Sequence, residues 1–221
     1  MHERLVGLKA ALVAEPANLR WIGYWLRHRR RTPIALGQPW ITFLALEWLA
    51  PRLRPDFSIL EYGSGGSTVY YGSRCARVVT IEHDPAWAAS VRAAPGFPEP
   101  RVELRVVPPL VCAVVPRVPS DRFPDPRADF ADYASAAEGF PDHSFNVVSV
   151  DGRARLACIK ASVPKLKGGG YLLLDNSERE DYAAAANLLP GWARHDFFGV
   201  GLICTQPWRT TIWQAPPELS A

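Results

Sequence analysis

Apolar and polar positions along this chain follow two alternating rhythms. Short apolar runs of strand length fall at 58–60, 77–81, 102–107, 145–150, 171–174, 192–198 and 209–214, each bounded by charged or turn-forming residues. Between them lie segments with helical spacing. Leu5, Leu8, Leu12 and Val13 share one face before Glu15-Pro16 breaks the pattern. Leu19, Trp21, Ile22, Trp25 and Leu26 form a second helix over 18–30. A third enters at Gln38-Pro39-Trp40 and continues through Ile41, Leu44, Leu46, Trp48 and Leu49 to Pro51, with proline in its favoured first-turn place. Further helical stretches are predicted at 67–74, 86–94, 129–138, 154–166 and 182–189, and Gly168-Gly169-Gly170 is read as the stop of the 154–166 helix. Strands separated by helices predict an α/β protein built on a largely parallel sheet.

Composition narrows the setting. A chain of 221 residues, 48% hydrophobic with eight tryptophans, suits one α/β domain with decoration. Cys75, Cys112, Cys158 and Cys204 lack C-x-x-C spacing, which argues for free thiols in a reducing compartment rather than a zinc site or a disulfide framework. With no long apolar span and no secretory leader pattern, the expectation is a soluble, cytoplasmic protein. The basic run Arg27, His28, Arg29, Arg30, Arg31 reads as a solvated helix end or as a contact for phosphate, an acidic lipid surface or an acidic partner. A net charge of only +3 makes nucleic acid an unlikely partner.

The candidate chemistry starts in the stretch FSILEYGSGGST. An apolar strand is closed by Glu61, a loop holds Gly63, Ser64, Gly65 and Gly66, and Ser67 or Thr68 supplies a hydroxyl to cap the following helix. Glycine there lets the chain turn sharply and lets the backbone approach a nucleotide-like ligand. Glu82 ends the next strand, 21 positions after Glu61, where a carboxylate can accept hydrogen bonds from both ribose hydroxyls. A dinucleotide fingerprint would have glycine where Thr68 stands. A carboxylate at Glu61 would also repel a pyrophosphate while suiting a cationic, amino-acid-bearing ligand.

With these residues the chain resembles the class I S-adenosylmethionine (SAM) methyltransferases, whose first motif runs acidic-x-G-x-G-x-G and whose second strand ends in an acidic residue; Ser67 stands at the third glycine. The resemblance covers about Gln38 to Gln214. It implies a seven-stranded Rossmann-like sheet in the order 3-2-1-4-5-7-6, strand seven antiparallel, with helices on both faces. It also implies a SAM-binding domain over 38–221, preceded by an N-terminal helical extension over 1–37. The implied cofactor contacts are Glu61, Gly63, Ser64, Gly65, Gly66, Ser67, Thr68, Glu82 and His83. Trp40 either lines a site or, like most tryptophans, packs in the core. Tyr133 is a candidate to face cofactor or substrate.

Asp151-Gly152-Arg153 follows the fourth strand, where ligands of open α/β sheets bind. Asp151 and Arg153 are the candidate catalytic residues. Arg153 or Arg155 either holds a substrate carboxylate or pairs with Asp151, and Asp151 is alternatively a helix cap. A second resemblance joins Asp151 to Asp175 and Asn176 after the fifth strand: metal-dependent O-methyltransferases of the catechol and caffeoyl-coenzyme A type hold a divalent cation from those places. This implies Mg2+ on Asp151, Asp175 and Asn176, although those enzymes carry lysine where Ala154 stands. Without a metal, Asp151, or else His83 or His143, is the general base.

Residues 108–128 hold six of the 21 prolines and form a stiff insertion, either a substrate lid or a passive excursion. The expected activity is methyl transfer from SAM to a small-molecule or saccharide hydroxyl, with a homodimer possible. The alternatives are a non-catalytic cofactor-binding or regulatory module of the same fold, and another nucleotide-using enzyme such as an NAD-linked oxidoreductase.

Overall fold

The structure, a computed structural model, describes residues 2–113, 115–120, 123–203 and 206–217. In chain order the strands are β1 (Ser58–Tyr62), β2 (Arg77–Glu82), β3 (Val102–Val106), β4 (Leu110–Val111), β5 (Ala128–Asp129), β6 (Phe145–Val150), β7 (Leu166–Leu174), β8 (Ala193–Gly199) and β9 (Trp208–Gln214). The helices are α1 (His2–Ala14), α2 (Ile22–His28), α3 (Pro33–Leu36), α4 (Phe43–Leu49), α5 (Gly66–Gly72), α6 (Pro85–Arg92), α7 (Ala131–Ser135) and α8 (Arg155–Ser162), with longer 3-10 segments at Pro16–Trp21 and Glu180–Leu188. Seven strands form one sheet in the order β3-β2-β1-β6-β7-β9-β8. Counted among those seven, this is the expected 3-2-1-4-5-7-6, and β9 runs antiparallel to both β7 and β8.

The central strands are apolar on both sides because both faces are covered. Leu60, Tyr62, Val79, Ile81, Val148, Val150, Leu172 and Leu174 pack on one face with Phe130, Tyr133, Cys158 and Ile159 from α7, α8 and the residue before α7. The alternate positions Ile59, Val78, Val147, Leu173 and Ile212 pack on the other with Ala45, Leu46, Leu49, Tyr70 and Tyr71 from α4 and α5. This period of two sets which side chains each helix layer meets. The chain winds outward from β1 to β3, then returns to lay β6 against the other side of β1. The C-terminal tips of β1 and β6 therefore flank the point where winding reverses, the place for a ligand in an open α/β sheet.

The N-terminal helices are tied to this sheet. Ala11 and Trp25 pack with Phe43, Val200 and Leu202. Asn18, fully buried, donates to the carbonyls of Ala11, Glu15 and Phe198 and accepts from Val200 N. The four arginines of the basic run are exposed while His28 is half-buried, and Arg29 donates to Leu26 O, a helix-end contact.

Several boundaries depart from the sequence reading. The 18–30 segment divides into a 3-10 turn and α2. α4 begins at Phe43 rather than Pro39, because Thr42 N donates to Thr210 Oγ1 and Thr42 Oγ1 donates to Phe197 O, holding Thr42 extended as the N-cap. Trp40 consequently lies outside the helix and is 46% exposed. Gly168-Gly169-Gly170 does not end a helix but lies inside β7, whose register with β6 shifts between Phe145 and Val147. Gly169 there takes φ +72°, a conformation open to glycine. The 182–189 segment is 3-10 over Glu180–Leu188.

The proline-rich insertion has a closed neck. β4 pairs antiparallel with β5, and the Asp129 carboxylate accepts from Val118 N and Ala131 N while pairing with Arg117 Nε at 2.9 Å. Cys75, Cys112 and Cys158 are free thiols; Cys204 lies outside the described residues. Among the described residues no helix is long and apolar enough to cross a membrane.

Asp175, just past β7, joins the sheet edge to the N-terminal segment. Its Oδ1 accepts from Trp208 Nε1 (2.8 Å) and Thr210 Oγ1, and Thr210 Oγ1 in turn accepts from Thr42 N. Removing the carboxylate strands two buried donors, so Asp175→Ala is expected to cost about 2–4 kcal/mol in denaturant unfolding. Asp175→Asn, which keeps an acceptor oxygen, is expected to cost less than half of that.

Candidate active site

The site begins where two loops cross. Gly63, after β1, has φ +91°, and a Cβ there would lie 2.8 Å from the N and Cα of Gly152, in the loop after β6. Gly152 has no room for a side chain either, because a Cβ would collide with Tyr133 Oη. Tyr62 O accepts from Asp151 N and Ile81 O accepts from Gly63 N. The two loops are thus held in contact, and their acidic residues with them.

Glu61 is buried, 1% exposed, at the end of β1. Its Oε2 accepts from Thr68 Oγ1 and Thr80 Oγ1, both at 2.7 Å. Its Oε1 is buried without a partner. Burial first, and then the nearby Asp151 charge, push the carboxyl up to about 7 against the pull of the hydroxyls. An acid left half-satisfied in this way is a ready receptor for a cation. Thr68 is fully buried and its hydroxyl is committed to Glu61 and to Gly65 N. It closes the loop rather than facing a ligand, which corrects its placing among the cofactor contacts. The capping hydroxyl is thus Thr68 reaching back from the first turn of α5, and Ser67 stays half-buried beside it.

Glu82 ends β2 at 2% exposed. Burial alone would raise its pKa, but Oε1 accepts from the amides of His83 and Asp84, and Oε2 accepts from Ser64 N and Ser64 Oγ. The His83 ring beside Oε1 first, and then the hydrogen bonds from Asp84 and Ser64, hold it down at about 2. His83 Nδ1 lies 2.7 Å from Oε1, close enough for an ion pair, yet it is not aligned to donate a hydrogen bond. The four usual acceptor directions of this carboxylate are taken within the chain. The His83 ring packs against Phe123 of the insertion and against Phe130 and Tyr133. Trp87, which sequence reasoning passed over, donates from Nε1 to Ser64 O at 2.7 Å and is 42% exposed beside the loop. Its place three residues after Asp84, the N-cap of α6, was the available signal.

Beyond β6, Asp151 is half-buried and pairs through Oδ1 with Arg155 Nη2 at 2.8 Å. Burial raises its pKa, opposed by the charges of Arg155, Arg179 and Arg153. Of the two candidate arginines, Arg155 makes the pair, while Arg153 is near enough to act on Asp151 only through its charge. The three residues expected to hold Mg2+ do not fit a divalent cation. Asp175 turns its Oδ1 into the core toward Trp208 and Thr210, and burial with the neighbouring Asp151 charge pushes it up to about 8. The oxygens between Asp151 and Asn176 already face the Arg155 guanidinium. Among the described residues no group of three His, Cys, Asp or Glu side chains is placed to hold a metal. His143 lies at the opposite end of β6, its Nδ1 3.0 Å from Leu166 O, and so is removed as a general base.

The strand order and the crossed glycine loops define the class of fold: that of the class I SAM-dependent methyltransferases. Among solved structures the chain is similar to an O-methyltransferase from Bacillus cereus in complex with S-adenosylhomocysteine, at 16% identity over 79% of this chain and 82% of that one, with a TM-score of 0.58. It is similar also to precorrin-6y C5,15-methyltransferase from Geobacter metallireducens, at 18% identity over 77% and 86%, TM-score 0.51. A methyltransferase-like protein from Silicibacter pomeroyi is 26% identical over 80% and 87%, TM-score 0.46. No protein-family model and no curated protein matches the chain.

Two outcomes follow from this geometry. Because folded Glu61 holds its proton more tightly than the unfolded chain, its contribution to stability is greatest below about 4.5 and is lost as pH rises through about 7. Glu61→Gln is therefore expected to be the more stable protein at pH 8, by an amount on the order of 3 kcal/mol, with the gain vanishing at pH 4 in urea unfolding. Gly152→Ala is expected to cost about 1–3 kcal/mol by overpacking, and adding Tyr133→Phe, which removes the colliding oxygen, should recover part of it in the same assay.

Proposed function

We propose that the protein is a SAM-dependent methyltransferase that methylates a hydroxyl oxygen of a small molecule or saccharide. The observation that carries this reading is the pairing of an unpartnered buried oxygen on Glu61 with a fully ionised Glu82 at the tip of the next strand. The first suits a ligand's ammonium group, and the second suits a ribose diol. These residues fit SAM: Glu61 would face its amino group, Gly63, Ser64, Gly65 and Gly66 would lie against it with their backbone, and Glu82 would accept from its ribose. The wall made by His83, Phe123 and Phe130 suits a flat base.

When bound, SAM supplies an electrophilic methyl group carried on a cationic sulfur. The chain's own share is mostly positioning. Asp151, its pKa raised by burial, takes the proton from the acceptor hydroxyl, and the raised value makes it a stronger base than an ordinary aspartate. Arg153, acting on Asp151 through its charge, steers an acceptor that carries partial negative charge. A cavity of about 290 Å³ lies between the insertion, at Arg117, Val118 and Pro119, and the start of α8, at Arg155 and Leu156. We assign it to the acceptor. A volume near 300 Å³ suits a small molecule, and on this reading the insertion would form one wall of the chamber.

Calorimetric titration with S-adenosylhomocysteine tests the reading. Micromolar-range binding is expected, and Glu82→Ala should weaken it by about tenfold or more, the loss of charge-assisted hydrogen bonds. Affinity should also fall as pH drops below about 7, where Glu61 takes up its proton, and Glu61→Gln should flatten that dependence. A folded sample that binds no S-adenosylhomocysteine at pH 8 would overturn the assignment.

A further inference from the structure

We propose that Arg155 is a resident cation: its guanidinium stands among the oxygens a divalent metal would need and holds Asp151 for metal-independent chemistry, so that removing it opens a divalent-cation site. The contacts come from two loops. Nε donates to Gly152 O at 3.0 Å, and Nη2 donates to Asp151 O at 3.0 Å while pairing with Asp151 Oδ1 at 2.8 Å. Nη1 donates to Asp175 O and reaches Asn176 Oδ1 at 3.5 Å. The side chain is 7% exposed. A planar fork with five donors thus meets five oxygens, an arrangement lysine has too few donors to copy.

A metal and this guanidinium exclude one another. Magnesium and calcium draw oxygen ligands to about 2.0–2.6 Å, and a cation at that range from Asp151 Oδ1 and Asn176 Oδ1 would occupy the volume of the Arg155 head. The backbone on either side is shaped to the arginine. Ala154, the residue that sends Arg155 into the gap, sits at φ +47° and Asn176 at φ +50°. An alanine in that region costs about 1 kcal/mol or more and persists only where its surroundings over-determine it. The guanidinium contacts provide that constraint. Arg155 is on this view a positioning residue: it ties the loop after β6 to the loop after β7 and fixes the orientation of Asp151 without touching the acceptor's reacting atom. The inference deepens the methyltransferase reading but is tested apart from it, since neither acceptor nor cofactor enters the key measurement.

The probe is Mn2+ alone, followed by paramagnetic resonance of the free ion and by melting temperature, with wild type, Arg155→Ala, and Arg155→Ala combined with Asp151→Asn. Wild type is expected to take up no Mn2+ at millimolar concentration and to melt unchanged. Arg155→Ala should melt several degrees lower, bind Mn2+, and regain melting temperature with millimolar Mn2+ or with low millimolar guanidinium ion. The added Asp151→Asn should abolish the Mn2+ effect. A purely structural arginine would show the fall without either rescue, and that result from a folded variant overturns the proposal. So does Mn2+ binding by wild type that Asp151→Asn removes, a measurement that stands even where Arg155→Ala fails to fold. S-adenosylhomocysteine titration of the same wild-type sample reports separately on the cofactor reading.

Discussion

Everything at the C-terminal edge of this sheet depends on how closely the backbone after β1 approaches the backbone after β6. Gly63 and Gly152 touch with no room for a methyl group between them, and the contact is closed by Asp151 N on Tyr62 O. Because β1 and β6 are parallel neighbours, the residues on either side of that contact are brought together in fixed order. Glu61 lies two positions before one glycine and Asp151 one before the other, which is why the charge of Asp151 adds to burial in raising Glu61. A wider crossing would let water between them and leave two ordinary carboxylates.

Four acids crowd this edge, and each is neutralised differently. Glu82 is saturated with hydrogen bonds and stays ionised. Asp175 is spent on Trp208 and Thr210, where it locks β9 and the entry to α4. Asp151 has a paired cation in Arg155. Glu61 has two hydroxyls on one oxygen and, on the other, no hydrogen bond, although the Ser67 hydroxyl is near enough to pull the carboxyl down. Of the buried carboxylate oxygens among the described residues, its Oε1 is the one left for something outside the chain to compensate. The distribution separates acids whose oxygens are spent on the edge from the one left with an unpartnered oxygen, a distinction that residue type alone does not make.

What could be read in the sequence was what local spacing encodes. Ile59 and Leu60 before Glu61, the glycines after it, and Glu82 closing the next apolar run all sit within a few residues of the features that give them meaning; the apolar runs marked out the strands, and the order of the sheet came from the family resemblance those motifs carry. Contacts between distant residues were not legible. Asp175 looked like a metal ligand because its partners, Trp208 and Thr210, are more than thirty residues away. Arg153 and Arg155 were indistinguishable by composition; the left-handed turn at Ala154 decides which guanidinium enters the gap. Thr68 looked like a ligand contact, yet its hydroxyl is spent on the buried acid Glu61, which takes the Thr80 hydroxyl on the same oxygen. Three successive glycines read as a helix stop because flexibility is their commonest use; here it accommodates a register shift in an interior strand.

The proline-rich insertion shows how the same edge is extended outward. Its neck is held by one buried carboxylate, Asp129, which gathers Val118 N, Ala131 N and Arg117, so the loop leaves and re-enters at a fixed place beside α7. Phe123 then returns the chain to Phe130 and His83, next to the acid that ends β2. Proline supplies stiffness between these two anchors. The insertion is thus anchored at its base by Asp129 and again at the tip of β2, where the Phe123 and His83 rings are in contact. The segment thereby joins the cavity lining at Arg117 to Pro119 to the tip of β2, where Phe123 meets His83.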